Sequence, residues 1–122
     1  MFSRTVYVRV NKNQFRARDV ESGLDTTVVA TEPFTTRRLL IGQFGAAQTA
    51  LKNALSQIAK SGFLVLPPQV VIHPLELIDG GLSEIEDRVL REVAIGAGAS
   101  KSVVWVGHEL SDAEVKEKIR GK

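Results

Sequence analysis

No cysteine occurs among the 122 residues, so disulfides and thiolate metal ligands are excluded from any reading of the chain. Aromatic residues are scarce: one Tyr, one Trp and five Phe leave few rings on which nucleic-acid bases could stack. No run reaches the roughly 18 apolar residues that a transmembrane helix needs. The first residues, Met1-Phe2-Ser3-Arg4, lead straight into a strand-like pattern without the apolar core of a signal peptide, and a cytoplasmic protein is expected. Also missing are a Gly-x-x-x-x-Gly-Lys-Ser/Thr phosphate loop and the Gly-x-Ser-x-Gly elbow of a serine hydrolase.

What is present describes one globular domain over residues 1–122, with 43% apolar and 25% charged residues and no internal repeat or linker. Charge is uneven along the chain. Residues 1–60 hold nine Lys/Arg against four Asp/Glu, and residues 61–122 hold seven against ten. A basic nucleic-acid-binding module on the Arg16/Arg18 side is therefore a reading to weigh. The solvated-face reading is stronger, because Arg16 and Arg18 alternate with Phe15 and Ala17 as on the wet side of a strand, Arg37-Arg38 fall in a loop or edge, and no aromatics accompany them.

Val6, Val8 and Val10 share one face of an alternating strand; Asn11-Lys12-Asn13 supplies a turn, and Gln14 to Val20 returns as a second strand. Thr26 to Thr31 is β-branched enough for a third. Apolar spacing predicts a helix over 46–60, closed by Gly62. Val65-Leu66 and Pro67-Pro68 then connect into Gln69 to His73, whose Val70-Val71-Ile72 reads as a central parallel strand. Leu82, Ile85, Val89, Val93 and Ala97 mark the next helix face, Ser102 to Val106 the next buried strand, and Ser111-Asp112-Ala113-Glu114 a capping box with Leu110 and Val115 as its hydrophobic staple. The order is βββαβαβα, an α/β mixed sheet with helices on both faces. Val8, Val71, Ile72, Val104 and Val106 are expected in one sheet, packed by Leu51, Leu55, Val89 and Val93.

The stretch Gly80-Gly81-Leu82-Ser83-Glu84-Ile85-Glu86-Asp87-Arg88, then Arg91-Glu92, then Gly96-Ala97-Gly98-Ala99 before a strand, resembles the MreB family of bacterial actin homologues. The resemblance is strongest from Leu82 to Val106, starts at Met1-Phe2-Ser3, is weak between 32 and 62, and covers the first subdomain of the nucleotide-binding fold only. It implies an actin-like, ribonuclease-H-like single lobe, without the second lobe that closes over ATP.

In that family an Asp-x-Gly-Thr hairpin holds the hydrated metal and the phosphates. Here the hairpin reads Arg9-Val10-Asn11-Lys12-Asn13, with Arg9 in place of the carboxylate, Asn11 in place of the glycine and Lys12 in place of the hydroxyl residue. Arg9, Asn11, Lys12 and Asn13 are thus the candidates for any residual nucleotide or phosphate binding, although a lone Lys on a hairpin is ordinarily a solvated turn residue. Glu86 falls where the resemblance implies the carboxylate that orients water, with Glu84 as the neighbour if the register slips by two. The competing reading makes Ser83 and Glu86 the two ends of a capping box, and it is preferred. Glu84/Arg88 and Asp87/Arg91 read as exposed i,i+4 pairs.

His73 and His108 follow strand ends, near Glu76, Asp79 and Glu109, but their spacing lacks a metal-site pattern, and no metal and no cofactor is expected. The reading is a non-catalytic, cytoplasmic protein-interaction module linked to cell-shape or actin-like filament machinery, with a protein partner or self-association. ATP and nucleic acid are not expected partners.

Overall fold

The computed structural model describes residues 4–60 and 66–121. Among them, eight elements follow in the expected order: β1 (Thr5–Asn11), β2 (Gln14–Asp19), β3 (Asp25–Val29), α1 (Phe44–Ala59), β4 (Gln69–Pro74), α2 (Glu84–Gly96), β5 (Lys101–Val104) and α3 (Asp112–Arg120). Met1-Phe2-Ser3, Gly62 and Val65 lie outside the described residues.

The five strands form one mixed sheet of order β3-β2-β1-β4-β5. β2 runs antiparallel to β1 and β3, while β4 is parallel to β1 and β5 parallel to β4. The period-2 alternation of β1 decides its two faces. Val6, Val8 and Val10 join Phe15, Ala17, Val70 and Ile72 in a core closed by Leu51, Ala54 and Ile58 of α1 and Leu90, Val93 and Ala94 of α2. Phe15 stacks on Phe34 with ring centroids 4.8 Å apart, bringing the irregular segment before α1 into that core. Across the sheet, Tyr7 and Val71 pack with Val20, Leu110, Val115 and Ile119, so α3 and the loop before it cover part of the other face.

Three expectations need correction. The α2 stripe is Leu90, Val93, Ala94 and Ala97, and Ile85 is 75% exposed. At 3.6 residues per turn Ile85 sits about 140° round the helix from Leu90, outside the stripe. Second, β5 ends at Val104, and Val106 is exposed rather than in the sheet. The Trp105 amide still bonds the Ile72 carbonyl at 3.0 Å, but the chain then turns at Gly107. Gly107 has φ +149°, and a Cβ there would stand 2.7 Å from the Trp105 ring, so only glycine turns the chain here without displacing the indole. Third, Arg88 pairs with Glu92 at 2.8 Å rather than with Glu84; it has a carboxylate one turn to either side. Arg91 pairs with Asp87 as the spacing implies.

Both capping boxes are formed. Ser83 accepts from the Glu86 amide at 3.1 Å and Glu86 accepts from the Ser83 amide at 3.0 Å. Ser111 and Glu114 repeat the pattern, with buried Leu110 and Val115 stapling the entry of α3.

Candidate functional site

The carboxyl ends of β1 and β4 bring the β1–β2 turn together with the loop that follows β4. Asn13 adopts φ +56°, a left-handed conformation that Asn tolerates well. Its side-chain oxygen then accepts from the amides of Phe34 at 2.9 Å and Thr35 at 2.8 Å, tying the segment before α1 to the turn. On the other side of the turn, Glu76 Oε2 accepts from the Lys12 amide at 2.8 Å and from Asn11 Nδ2 at 3.2 Å. The Lys12 amide, then the Asn11 side chain, hold the Glu76 carboxyl below the usual carboxylate range. Two donors of this turn are therefore occupied by an anion that the chain itself supplies, and the Asn13 amide donates to Thr35 Oγ1 at 2.9 Å.

Arg9 points away from the turn. It lies over the Tyr7 ring, 5.1 Å from its centroid, and donates to Asp25 at 3.1 Å. Of the four hairpin candidates, Asn11 and Asn13 are committed to internal bonds and Arg9 belongs to the sheet face covered in part by α3. Lys12 contributes its amide, while its side chain forms no ion pair among the described residues.

Arg16 and Arg18, expected as solvated, are half-buried. Arg18 donates to Asp112 at 3.0 Å and to Asp25 at 3.1 Å, while Arg16 donates to Asn11 at 3.3 Å. The N-terminus of α3 and the start of β3 deliver carboxylates to the arginines, a convergence that strand alternation alone does not reveal.

His73 and His108 are not brought together as ligands. His73 Nε2 lies 3.0 Å from the Gly107 carbonyl, which can only accept, so Nε2 carries the proton and Nδ1 is the acceptor. Tyr7 therefore donates to Nδ1 at 2.7 Å, and its oxygen accepts from the Leu110 amide at 3.1 Å. Burial pushes the His73 imidazole below its ordinary range and the Tyr7 phenol above its own. The network is neutral and anchors the loop between β5 and α3 at both ends. His108 instead lies 3.1 Å from Glu114, its ring edge-on to Trp105. Among the described residues no three His, Cys, Asp or Glu side chains are grouped to hold a metal, and Asp79 is exposed in the loop before α2.

Glu86 sits in its capping box and also on the wall of an apolar cleft between Leu39–Ile41, Pro74, Leu77–Ile78 and the first half of α2. Its volume is about 50 Å³. Small-molecule sites usually occupy ~300–1,000 Å³, so this cleft takes the tip of a side chain rather than a nucleotide. Ile85 and Leu39, 75% and 41% exposed, flank it. Leu77, at φ +57°, pays a backbone cost beside the same cleft. No local pattern along the chain marks this cleft, because its walls come from three separate segments.

Escherichia coli (strain K12) has a protein, "Uncharacterized protein YjaA", that is 32% identical to this chain over 126 residues, covering 96% of this chain and 98% of the relative. The chain belongs to the YjaA family. The YjaA match runs over nearly the whole of both chains, so it concerns the entire sheet-and-helix unit rather than one motif within it. No family model matches the chain. No helix among the described residues of this chain is long and apolar enough to cross a membrane.

Proposed function

We propose that this member of the YjaA family is a non-catalytic, cytoplasmic protein-interaction module, built as a single actin-like lobe resembling the first subdomain of MreB. The sheet supports that reading: an antiparallel meander of three strands is extended from its first strand by two parallel strands through helical crossovers. Loss of ATP chemistry is supported at the turn, where the Glu76 carboxylate occupies the Lys12 and Asn11 donors and Arg9 replaces a metal-binding carboxylate. Glu86 serves its helix cap.

The observation that carries the interaction reading is the apolar cleft with an exposed isoleucine on its lip. A buried aliphatic anchor surrounded by polar contacts is how small interfaces concentrate their affinity. The partner is a peptide segment presenting one aliphatic side chain, with a basic residue for Glu86 on the cleft wall and an acidic residue for the exposed Arg37 and Arg38, which directly precede Leu39 in the chain. The MreB resemblance directs the search for that partner to cell-shape and actin-like filament proteins.

Fluorescence anisotropy with a labelled Arg-Gly-Leu-Gly-Glu peptide, and its Gln-Gly-Leu-Gly-Gln counterpart, tests the reading. The charged peptide is expected to bind more tightly, and Ile85→Asp should weaken it about tenfold or more. Equal affinities, or indifference to Ile85→Asp, would remove the cleft as the docking site. Magnesium-dependent ATP binding localised by NMR to residues 9–13 would overturn the non-catalytic reading.

A further inference from the structure

On the sheet face opposite α1 and α2, register places Arg9 of β1 directly across from Arg16 of β2. Like charges facing each other across two strands repel, so the pair calls for an anion between them. Glu109 offers one, and it does not fit. Its Oε2 is 3.9 Å from Arg9 Nη1 and its Oε1 is 4.0 Å from Arg16 Nη2, one oxygen turned toward each guanidinium and both beyond hydrogen-bond reach. A charge-assisted N–H···O bond closes to about 2.7–2.9 Å.

Arg9 is also incompletely served. Its side chain is only 12% exposed, its Nη2 is taken by Asp25 at 3.1 Å, and its Nε is buried without a partner. A buried donor left unmade is costly enough that native structures rarely tolerate one without a reason. Glu109 is meanwhile 57% exposed, on a loop whose ends are fixed by the His73–Gly107 and Tyr7–Leu110 bonds, so its side chain can swing out while the loop stays in place.

We propose that Arg9 and Arg16 form a seat for a tetrahedral phosphoryl oxyanion, with Glu109 as a loosely held internal occupant that the ligand displaces. A phosphate group has more oxygens and a wider span than a carboxylate, so it can bond both guanidiniums where Glu109 bonds neither. The seat lies on the sheet face, beside the β1–β2 turn that Glu76 fills and joined to it by the Arg16–Asn11 bond, and it stands independently of the cleft at α2.

NMR of arginine Nε–Hε groups in the full chain, titrated with sodium phosphate at constant ionic strength, is the test. Saturable shifts at Arg9 and Arg16 are expected. Glu109→Gln should tighten binding about fivefold, the scale of an exposed ion pair removed from competition. Arg16→Gln, at a half-exposed position, should abolish saturation while the amide spectrum stays that of the folded chain. A parallel titration with phosphoserine separates sources: tighter binding than phosphate assigns the seat to a phosphomonoester, and equal or weaker binding to free phosphate. Chloride reproducing the shifts, no saturation in either wild type or Glu109→Gln, or unchanged affinity in Glu109→Gln would overturn the proposal.

Discussion

The two faces of the sheet are built on opposite principles. Toward α1 and α2 the strands present Val6, Val8, Val10, Phe15, Ala17, Val70 and Ile72, a face of side chains that need only shape and volume. Toward α3 the same strands present Tyr7, Arg9, Arg16, Arg18 and His73, each requiring a partner in a particular place. Apolar burial is non-directional and tolerant of its neighbours, whereas a buried polar group is costly unless its bond is made. One face is therefore wholly apolar, and the other adds to a smaller apolar cluster around Val71 the groups that fix loops and carry charge.

If that contrast is right, the largest loss comes from the apolar face. Phe15 is fully buried and stacked on Phe34, and Phe15→Ala should cost about 3–5 kcal/mol in chemical denaturation. A loss no greater than that of an exposed substitution would break the comparison.

Next comes the polar face, where Tyr7→Phe removes one hydroxyl and strands two buried groups, the Leu110 amide and His73 Nδ1. A loss of about 1–3 kcal/mol is expected, although almost no volume changes. The same network sets a pH dependence. The folded pKa of His73 is depressed by burial, so below the ordinary value of about 6.5 the unfolded chain takes up the proton more readily. Stability should be fully present above that pH and decline as pH falls toward the folded pKa. Replacing His73 by Gln should flatten this acid limb in thermal melts recorded from neutral to mildly acidic pH.

Smaller effects sharpen the picture at α2, which belongs to the apolar face yet starts with a polar cap. Ser83→Ala should cost about 0.5–2 kcal/mol, and Glu86→Gln should be nearly neutral, because Gln can also close the box. Smallest of all, Ile85→Asp should leave the melting temperature almost unchanged, since Ile85 is 75% exposed. A large loss there would mean that Ile85 contributes to the core after all.

Order and type of the elements were legible in the sequence because they rest on local periodicity: valines at every second residue in β1, the apolar spacing of α1, and two Ser-x-x-Glu boxes. Errors arose where periodicity leaves rotation or length open. Ile85 fits a helical stripe on paper, but α2 is turned so that Leu90, Val93 and Ala94 meet the core. Val106 extends an apolar run, but the Gly107 carbonyl is taken by His73 from another strand and the chain turns away.

The site was less legible than the fold. Glu76 and Asn11 are 65 residues apart, and Tyr7 and Leu110 are 103 apart, and no local pattern encodes such meetings. The Ser83–Glu86 capping box was legible because both halves of its motif lie within four residues of each other.

The sequence by itself determined which segments become strands and helices, which side of β1 is apolar, and how α2 and α3 begin. Tertiary structure decided what faces those residues: Glu76 in the turn, Glu109 between two arginines, His73 beneath Tyr7, and three segments around the cleft. The physical reason is range. Backbone preference and side-chain periodicity act over a few residues, while hydrogen bonds, ion pairs and clefts depend on strand order and register that only the closed sheet supplies.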